Sequence, residues 1–85
     1  MRIEQSNQNR KMILSIMNRK MSEFKKPLLD INKTNLLNGL ILAINMVDRS
    51  SGSKLIFNAT KGISIIQCRE ITKAIWSERN SFDYV

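Results

Sequence analysis

The sequence predicts an all-α domain built from three or four helices. Apolar residues recur at spacings of three and four near both ends of the chain, as expected for helices with one buried face. Between them, residues 36–47 are apolar on nearly every side. A capping-box pattern, Ser64 followed by Gln67, precedes the last apolar repeat. With 85 residues, 42% of them hydrophobic and 25% charged, the chain is expected to form one small domain over residues 1–85.

The first helix is predicted to be long and basic. From Arg10 onward its apolar face is formed by Ile13, Ile16, Met17, Met21, Phe24 and Leu28. Pro27 disfavours helical geometry at the residue before it, so the helix should end near Lys26. Residues 1–9 are polar, and we expect them to fray.

The second helix is predicted to be central and buried. It should begin between Asn32 and Asn35, where several side chains can cap a helix, and continue to Arg49. Its apolar residues surround the helix instead of forming one stripe. We therefore expect it to lie inside the bundle, or to be covered in a homodimer or by a partner protein.

Residues 50–53, Ser-Ser-Gly-Ser, form the clearest break in the sequence and predict a turn or short loop. The segment after this break has two interpretations. The β-branched residues within 54–66 permit a β-hairpin, which would make the domain α+β. The capping box instead favours a short helix over 53–60, a turn and a longer helix. The apolar residues of that longer helix are Ile65, Cys68, Ile71 and Ile75. We favour the helical interpretation.

No catalytic or cofactor-binding pattern is present in the sequence. The chain has no histidine, which removes the commonest general base and the commonest metal ligand. One cysteine cannot form a zinc site, the acidic residues are scattered, and the three glycines do not form a phosphate-binding loop. Cys68 lies on the apolar side of the predicted last helix and is expected to be a core residue. We therefore predict a protein that is not an enzyme and that uses no cofactor or metal.

Several features predict a cytoplasmic protein. The apolar block over 36–47 is shorter than the ~20 residues that span a bilayer, so no membrane segment is expected. Residues 1–21 lack the pattern of a signal peptide, and the single cysteine fits a reducing compartment. Asn, Ile and Lys make up 29 of the 85 residues, which suggests the AT-rich coding of many phages and mobile elements.

Basic charge is the feature that points to a function. A net charge of +7 on so small a domain favours polyanionic partners. Residues 1–33 carry eight basic and three acidic side chains, whereas the rest of the chain carries six and four. Cations along a helix suit phosphate contacts that do not depend on nucleotide sequence. The predicted phosphate contacts are Arg10, Lys11, Arg19, Lys20, Lys25, Lys26 and Lys33. Those before Lys33 do not share one narrow stripe but surround most of the polar surface, so a solvated basic face is the competing interpretation.

The C-terminal part of the chain offers a candidate for base recognition. A short helix, a turn and a longer helix over 53–79 are similar to a helix-turn-helix unit. In such a unit the longer helix would present Gln67, Arg69 and Lys73 to the major groove of DNA.

Two functions from different classes are consistent with these features. The leading prediction is a small regulatory protein that associates with nucleic acid, with DNA favoured over RNA. The alternative is a helical protein-interaction module that binds an acidic protein surface, such as a phage inhibitor, an adaptor or a small chaperone. Aromatic residues this close to a terminus are expected to fold back and cover a small core. In the alternative function Trp76, Phe82 and Tyr84 would be interface anchors, because aromatic side chains are favoured at the centre of interfaces.

Overall fold

Four α-helices succeed one another along the chain: α1 (Ile3–Glu23), α2 (Thr34–Asn45), α3 (Arg49–Ala59) and α4 (Ile65–Glu78). The structure is a computed structural model that describes residues 3–30 and 32–78. No strand occurs in those two ranges. The all-α prediction is confirmed. The alternative β-hairpin over 54–66 is wrong, because that segment contains the end of α3, a turn and the start of α4.

The helices form a small bundle in which each helix packs against the next one along the chain. α2 and α3 are antiparallel neighbours, with Gly39 of α2 beside Leu55 of α3. α3 and α4 are also antiparallel neighbours, with Ser53 hydrogen-bonded to Thr72 at 2.9 Å. α1 completes the bundle by packing against both α2 and α4. Each helix therefore has two helical neighbours.

All four helices contribute to a single hydrophobic core. The largest fully buried apolar side chains are Ile13, Met17, Met21, Leu37, Leu40, Ile56, Ile71 and Ile75. Burying a side chain of this size stabilises a fold by roughly 1.5–3 kcal/mol. α2 is the most apolar helix, as predicted, and its buried residues are Leu36, Leu37, Leu40, Ile41, Ala43 and Ile44. None of the described helices has the length and apolar character needed to cross a bilayer.

α1 is longer than the apolar pattern indicated, because it begins at Ile3 and not near Arg10. It ends close to the predicted place. Lys25 adopts a left-handed conformation with φ of 58°, and its amide donates to the carbonyl of Ser22 at 3.0 Å. The amide of Lys26 donates to the carbonyl of Met21 at 2.9 Å. This pair of bonds is the Schellman arrangement that closes many helices.

The turn between α2 and α3 repeats this arrangement at an unusual residue. Val47 has φ of 55°, and its amide donates to the carbonyl of Ile44 at 3.0 Å. The amide of Asp48 donates to the carbonyl of Ala43 at 2.9 Å. A β-branched residue is strained in the left-handed region, because its side chain crowds the backbone there. The turn therefore carries local strain at Val47.

The loop predicted over 50–53 is wrong, because these residues form the first turns of α3. Asp48 caps the helix, accepting from the amide of Ser51 at 3.2 Å and from its hydroxyl at 2.6 Å. Gly52 is buried where α3 meets α4. A cap and a packing contact thus override the weak helix propensity of serine and glycine.

The turn between α3 and α4 agrees with the sequence prediction. Gly62 has φ of 77°, a conformation that glycine adopts without strain. The amide of Ser64 donates to Gln67 Oε1 at 3.0 Å, and the amide of Gln67 donates to Ser64 Oγ at 3.1 Å. These reciprocal bonds confirm the capping box. Cys68 is fully buried, so its prediction as a core residue is also confirmed.

Candidate nucleic-acid interface

The seven cations predicted to contact phosphate do not form one surface. Arg10 extends toward α2, where its guanidinium donates to Asn38 Oδ1 at 2.9 Å and also contacts Asn7. Arg19 extends toward α4 and forms an ion pair with Glu78 at 2.5 Å. The hydrogen bond to Glu78 and the charge of that carboxylate raise the pKa of Arg19. The two arginines therefore join α1 to two different neighbouring helices.

Two of the predicted lysines are also engaged within the chain. Lys20 pairs with Glu23 at 2.9 Å, and its ammonium lies 5.5 Å from the centre of the Phe24 ring, within the range of a cation–π contact. Lys33 Nζ donates to the carbonyl of Ala59 at 3.3 Å. These side chains lie at the surface, where such contacts are weak, but each is held near a protein partner.

The other three predicted lysines form no ion pair with a described residue. Lys11 is exposed on α1, whereas Lys25 and Lys26 lie in the segment after α1. Phosphate contact by these cations stays a prediction. Because the seven residues are distributed over several sides of the bundle, they do not by themselves define a binding site.

A different group of cations does converge on one place, the space between α3 and α4. Its inner part is a cavity of about 360 Å³. That cavity is lined by three cations, Arg49, Lys54 and Arg69, and by the hydroxyl groups of Ser50, Ser53 and Thr72. A neighbouring cavity of about 400 Å³ is lined by Arg49, Lys73, Trp76, Ser77 and Val47. Arg49 belongs to both, and the two neighbouring cavities together are called the α3–α4 groove below.

Helical periodicity explains why these side chains face each other. Arg49 and Ser53 are four residues apart in α3, and residues at this spacing lie on one side of a helix. Arg69 and Lys73 have the same spacing in α4. All four groove cations, including Lys54, have exposed side chains. The groove is therefore a basic surface with access to solvent.

The floor of the α3–α4 groove is polar and well ordered by hydrogen bonds. Thr72 Oγ1 donates to the carbonyl of Cys68 at 2.8 Å. Because this bond uses the only proton of that hydroxyl, Ser53 Oγ is the donor in its 2.9 Å bond to Thr72. The Ser53–Thr72 bond ties α3 to α4 directly beneath the cations.

The positive charge of the groove is not neutralised by neighbouring acids. None of Arg49, Lys54, Arg69 and Lys73 forms an ion pair with a described residue. Two carboxylates, those of Glu23 and Glu78, are instead paired with α1. Asp30 accepts from the amide of Asn32 at 2.9 Å.

Asp48 is an acidic residue whose charge interacts with a groove cation, Lys54. The hydroxyl of Ser51, and then its amide, donate to the carboxylate and lower the pKa of Asp48. The positive charge of Lys54 makes a smaller contribution in the same direction. Asp48 keeps its negative charge in these hydrogen bonds and therefore reduces the positive potential at Lys54, but it forms no ion pair with a groove cation.

The packing of α3 and α4 contradicts the helix-turn-helix interpretation. In a DNA-reading unit the two helices diverge from the turn at about 90–120°. Here Ser53 and Thr72 are hydrogen-bonded although each lies about two helical turns from the connecting loop. Farther still from the loop, Gly52 contacts Trp76. The helices therefore lie side by side as an antiparallel hairpin.

The three residues predicted to read bases do not act together. Gln67 is used in the capping box, where its side-chain oxygen accepts from the amide of Ser64. Arg69 and Lys73 line the groove. Two of the three residues thus join the basic surface, and the third stabilises the start of α4.

Of the three predicted interface anchors, Trp76 lies within the described residues. Trp76 is 8% exposed and packs in the core, which agrees with the expectation that the aromatic residues cover the core and leaves little of the ring for a partner. Its indole Nε1 forms no hydrogen bond within the described part of the chain. Phe82 and Tyr84 lie outside the described residues.

Sequence reasoning missed Arg49 and Lys54 as site residues. The two residues flank the Ser-Ser-Gly-Ser stretch that was predicted to be a break. Arg49 was placed at the end of the second helix and Lys54 in a short helix over 53–60, so they were not expected to share one helix. The sequence did contain a usable signal. Asp48 with Ser51 three residues later is a good helix start, and it would have placed Arg49 and Ser53 on one side of a helix.

An exposed apolar surface lies on the opposite side of α3, between α3 and α2. Leu42 and Met46 are 62% and 69% exposed. They border a cavity of about 420 Å³ that is also lined by Gly39, Ala43 and Leu55. Asp48 and Lys54 line this cavity too, so Lys54 borders both this surface and the α3–α4 groove. Exposed apolar residues that cluster in this way are typical of contact surfaces.

Metal coordination finds no support in the described residues, which contain no cluster of three or more Cys, Asp or Glu side chains that can hold an ion. Comparisons of the chain with protein-family models, with curated proteins and with solved structures found no match. The case for a function therefore depends on the geometry and charge of the chain itself.

Proposed function

We propose that this protein is a small non-enzymatic nucleic-acid-binding protein that contacts the phosphate backbone through the α3–α4 groove. One observation carries the proposal: four cations on two helices, Arg49, Lys54, Arg69 and Lys73, border two neighbouring cavities and form no ion pair with a described residue. Arginine and lysine are the side chains that most often contact phosphate. The hydroxyl of Ser50 adds a neutral donor to the same surface.

The remaining cations have a supporting role in this proposal. The net charge of +7 attracts a polyanion over distance, which raises the rate of association. Lys11, Lys25 and Lys26 contribute to that field from outside the groove. They act through charge and not through a shared contact surface, so their individual positions matter less than those of the groove cations.

The test compares two variants with the same net charge. In the groove variant Arg49, Lys54, Arg69 and Lys73 are replaced by Gln. In the control variant Lys11, Lys25, Lys26 and Lys61 are replaced by Gln. Binding of a mixed-sequence DNA duplex and a single-stranded RNA is measured by titration at three salt concentrations.

The groove variant should bind at least tenfold more weakly than the wild type. If four phosphate contacts are lost, the slope of log K against log salt concentration should become less negative by about three. The control variant should lose affinity to a smaller extent and keep most of its salt dependence. Equal losses in the two variants would mean that net charge alone drives binding and that the groove is not the site.

A second function, protein interaction, is favoured by the exposed side chains of Leu42 and Met46. In this alternative the surface between α2 and α3 docks on a second copy of the chain or on another protein. Its dependence on apolar contact predicts an association that is insensitive to salt. Sedimentation of the wild-type protein and of a Leu42→Gln, Met46→Gln variant tests the homodimer directly, since only the wild type should associate.

A further inference from the structure

We infer that the ligand of the α3–α4 groove is a single strand of DNA or RNA and not a duplex. This inference rests on the proposed function, because it names the form of nucleic acid that the same groove accepts. Four properties support it: the packing of the helix pair, the residues on the outer side of α4, the location of the cations, and the apolar side chains beside them.

The packing of the helix pair limits how α4 can meet a duplex. The major groove is about 12 Å wide, and a helix with its side chains nearly fills it. Because α4 packs against both α3 and α1, only its outer side can approach a duplex. The contact of Gly52 with Trp76 keeps α3 alongside α4 over most of their length.

The outermost residues of α4 are also unsuited to a duplex. Helical periodicity places Ile66, Glu70, Lys73 and Ser77 on the side opposite the buried residues, and all four are exposed. A duplex approaching α4 from outside would meet the carboxylate of Glu70 beside the ammonium of Lys73, so this side of α4 offers no continuous row of cations. Arg69 lies between this stripe and α3.

The location of the cations suits a thin ligand. Arg49 and Lys54 belong to one wall of the groove, and Arg69 and Lys73 belong to the other. The axes of packed helices lie about 8–10 Å apart, so the cations of the two walls are close to each other across the groove. A single strand can lay its backbone along such a groove, whereas a duplex presents its phosphates on a wide convex surface.

Apolar side chains next to the cations complete the argument. Ile65 lines the groove and is 40% exposed. Phe57 is 47% exposed, and helical spacing places it one turn beyond Ser53 on the same side of α3, next to the residues that line the groove but not among them. Single strands expose the faces of their bases, and these stack on aromatic rings beside a basic groove. A paired base inside a duplex offers no such face.

The test measures fluorescence anisotropy with three labelled ligands of one sequence: a 12-nucleotide DNA strand, the matching RNA strand and the DNA duplex. Both single strands should bind at least tenfold more tightly than the duplex at the same salt concentration. Phe57→Leu should weaken single-strand binding by about five- to tenfold, because it removes a stacking surface, and should leave duplex binding unchanged.

Two further variants serve as controls for the role of the ring. Phe57→Tyr keeps an aromatic face and should retain wild-type affinity. Phe24→Leu makes the same change at a distant, half-buried site and should not affect binding. Circular dichroism verifies that each variant keeps its helical content, so that a loss of affinity reports on the groove.

The outcomes separate this inference from the proposal on which it rests. If the duplex binds as tightly as the single strands and the groove variant weakens all three, the groove is a nucleic-acid site but the single-strand inference is overturned. If the groove variant binds all three ligands like the wild type, the proposed function itself is overturned. The ratio of RNA to DNA affinity then reports whether the 2′-hydroxyl is recognised.

Discussion

A Cβ atom on Gly52 would lie 3.0 Å from Cη2 and 3.1 Å from Cζ3 of Trp76, so the indole of α4 rests directly on the backbone of α3. This contact joins the two helices at the end of the hairpin that is farthest from the connecting turn. It holds the walls of the basic groove together, and it requires glycine in a segment that would otherwise favour a loop.

Replacing Gly52 by alanine should lower the free energy of unfolding by about 1 kcal/mol. The added methyl group crowds a ring that is packed in the core, at a cost of about 1–3 kcal/mol, and the better helix propensity of alanine offsets about 0.5–1 kcal/mol of this. For a domain of this size, thermal unfolding should shift downward by about 4–8 °C.

Gly39→Ala is the matched control for that substitution. There the new Cβ would lie 3.1 Å from Cδ1 of Leu55, the end of a flexible and half-buried side chain that can move aside. This variant should be as stable as the wild type or more stable by up to about 1 kcal/mol. Equal thermal stability of the two variants would show that the indole of Trp76 also moves freely.

Replacing Val47 by asparagine should stabilise the protein by about 1 kcal/mol. Val47 has φ of 55°, a conformation that costs a β-branched residue about 1–2 kcal/mol and that asparagine tolerates. Because the valine side chain is largely exposed, little burial is lost. Val47→Thr keeps the branched side chain and should not give this gain. Denaturant unfolding of the three proteins checks the prediction, and a Val47→Asn variant no more stable than Val47→Thr contradicts it.

Asp48 should make stability depend on pH in the acid range. Hydrogen bonds from Ser51 hold the pKa of the folded carboxyl group below its ordinary value, which is about 3.9. The unfolded chain therefore takes up a proton first as the pH falls. The stabilisation is complete above the ordinary pKa and is lost as the pH drops through the folded pKa.

Asp48→Asn tests this pH dependence, because asparagine also caps helices but carries no titrating group. Urea unfolding at a series of pH values should show the wild type more stable at pH 6, with the two curves converging at low pH. Parallel curves for the two proteins over the whole range would mean that Asp48 has the same pKa in the folded and unfolded states.

Cys68 should be protected from thiol reagents in the folded protein. Burial raises the pKa of its thiol, so the reactive thiolate is disfavoured and access is blocked. Modification should be about a hundredfold slower, or more, than in denaturant, because it requires local or global opening. A Cys68→Ala, Ser22→Cys variant, with its cysteine at an exposed position of α1, is the control and should react quickly in the folded state. Fast labelling of wild-type Cys68 would place the thiol outside a packed core.

At some positions a sequence pattern alone predicted the local structure correctly, and at others it did not. Ser64 and Gln67 were predicted to form a capping box because both partners are three residues apart, and the bonds are present. Residues 50–53 were predicted to form a loop from propensity alone. That prediction is wrong because the cap at Asp48 and the contact between Gly52 and Trp76 stabilise a helix there.

In the candidate site, too, some residues were identified from the sequence and others were not. Arg69 and Lys73 were identified from the exposed side of a predicted helix, and both lie in the groove. Arg49 and Lys54 were not identified, because their contribution depends on α3 lying beside α4. The cations of α1 were grouped by their closeness in sequence, but Arg10 and Arg19 reach different helices.

The sequence by itself determined the all-α class, the capping box before α4, the apolar character of α2 and the excess of positive charge. These properties depend on composition and on interactions between residues that are close along the chain. Only the tertiary structure decided which cations face each other, since that depends on contacts such as Ser53 with Thr72, which are distant in sequence. Helix periodicity limits which side of each helix is buried, but the pairing of helices is set by packing over the whole core.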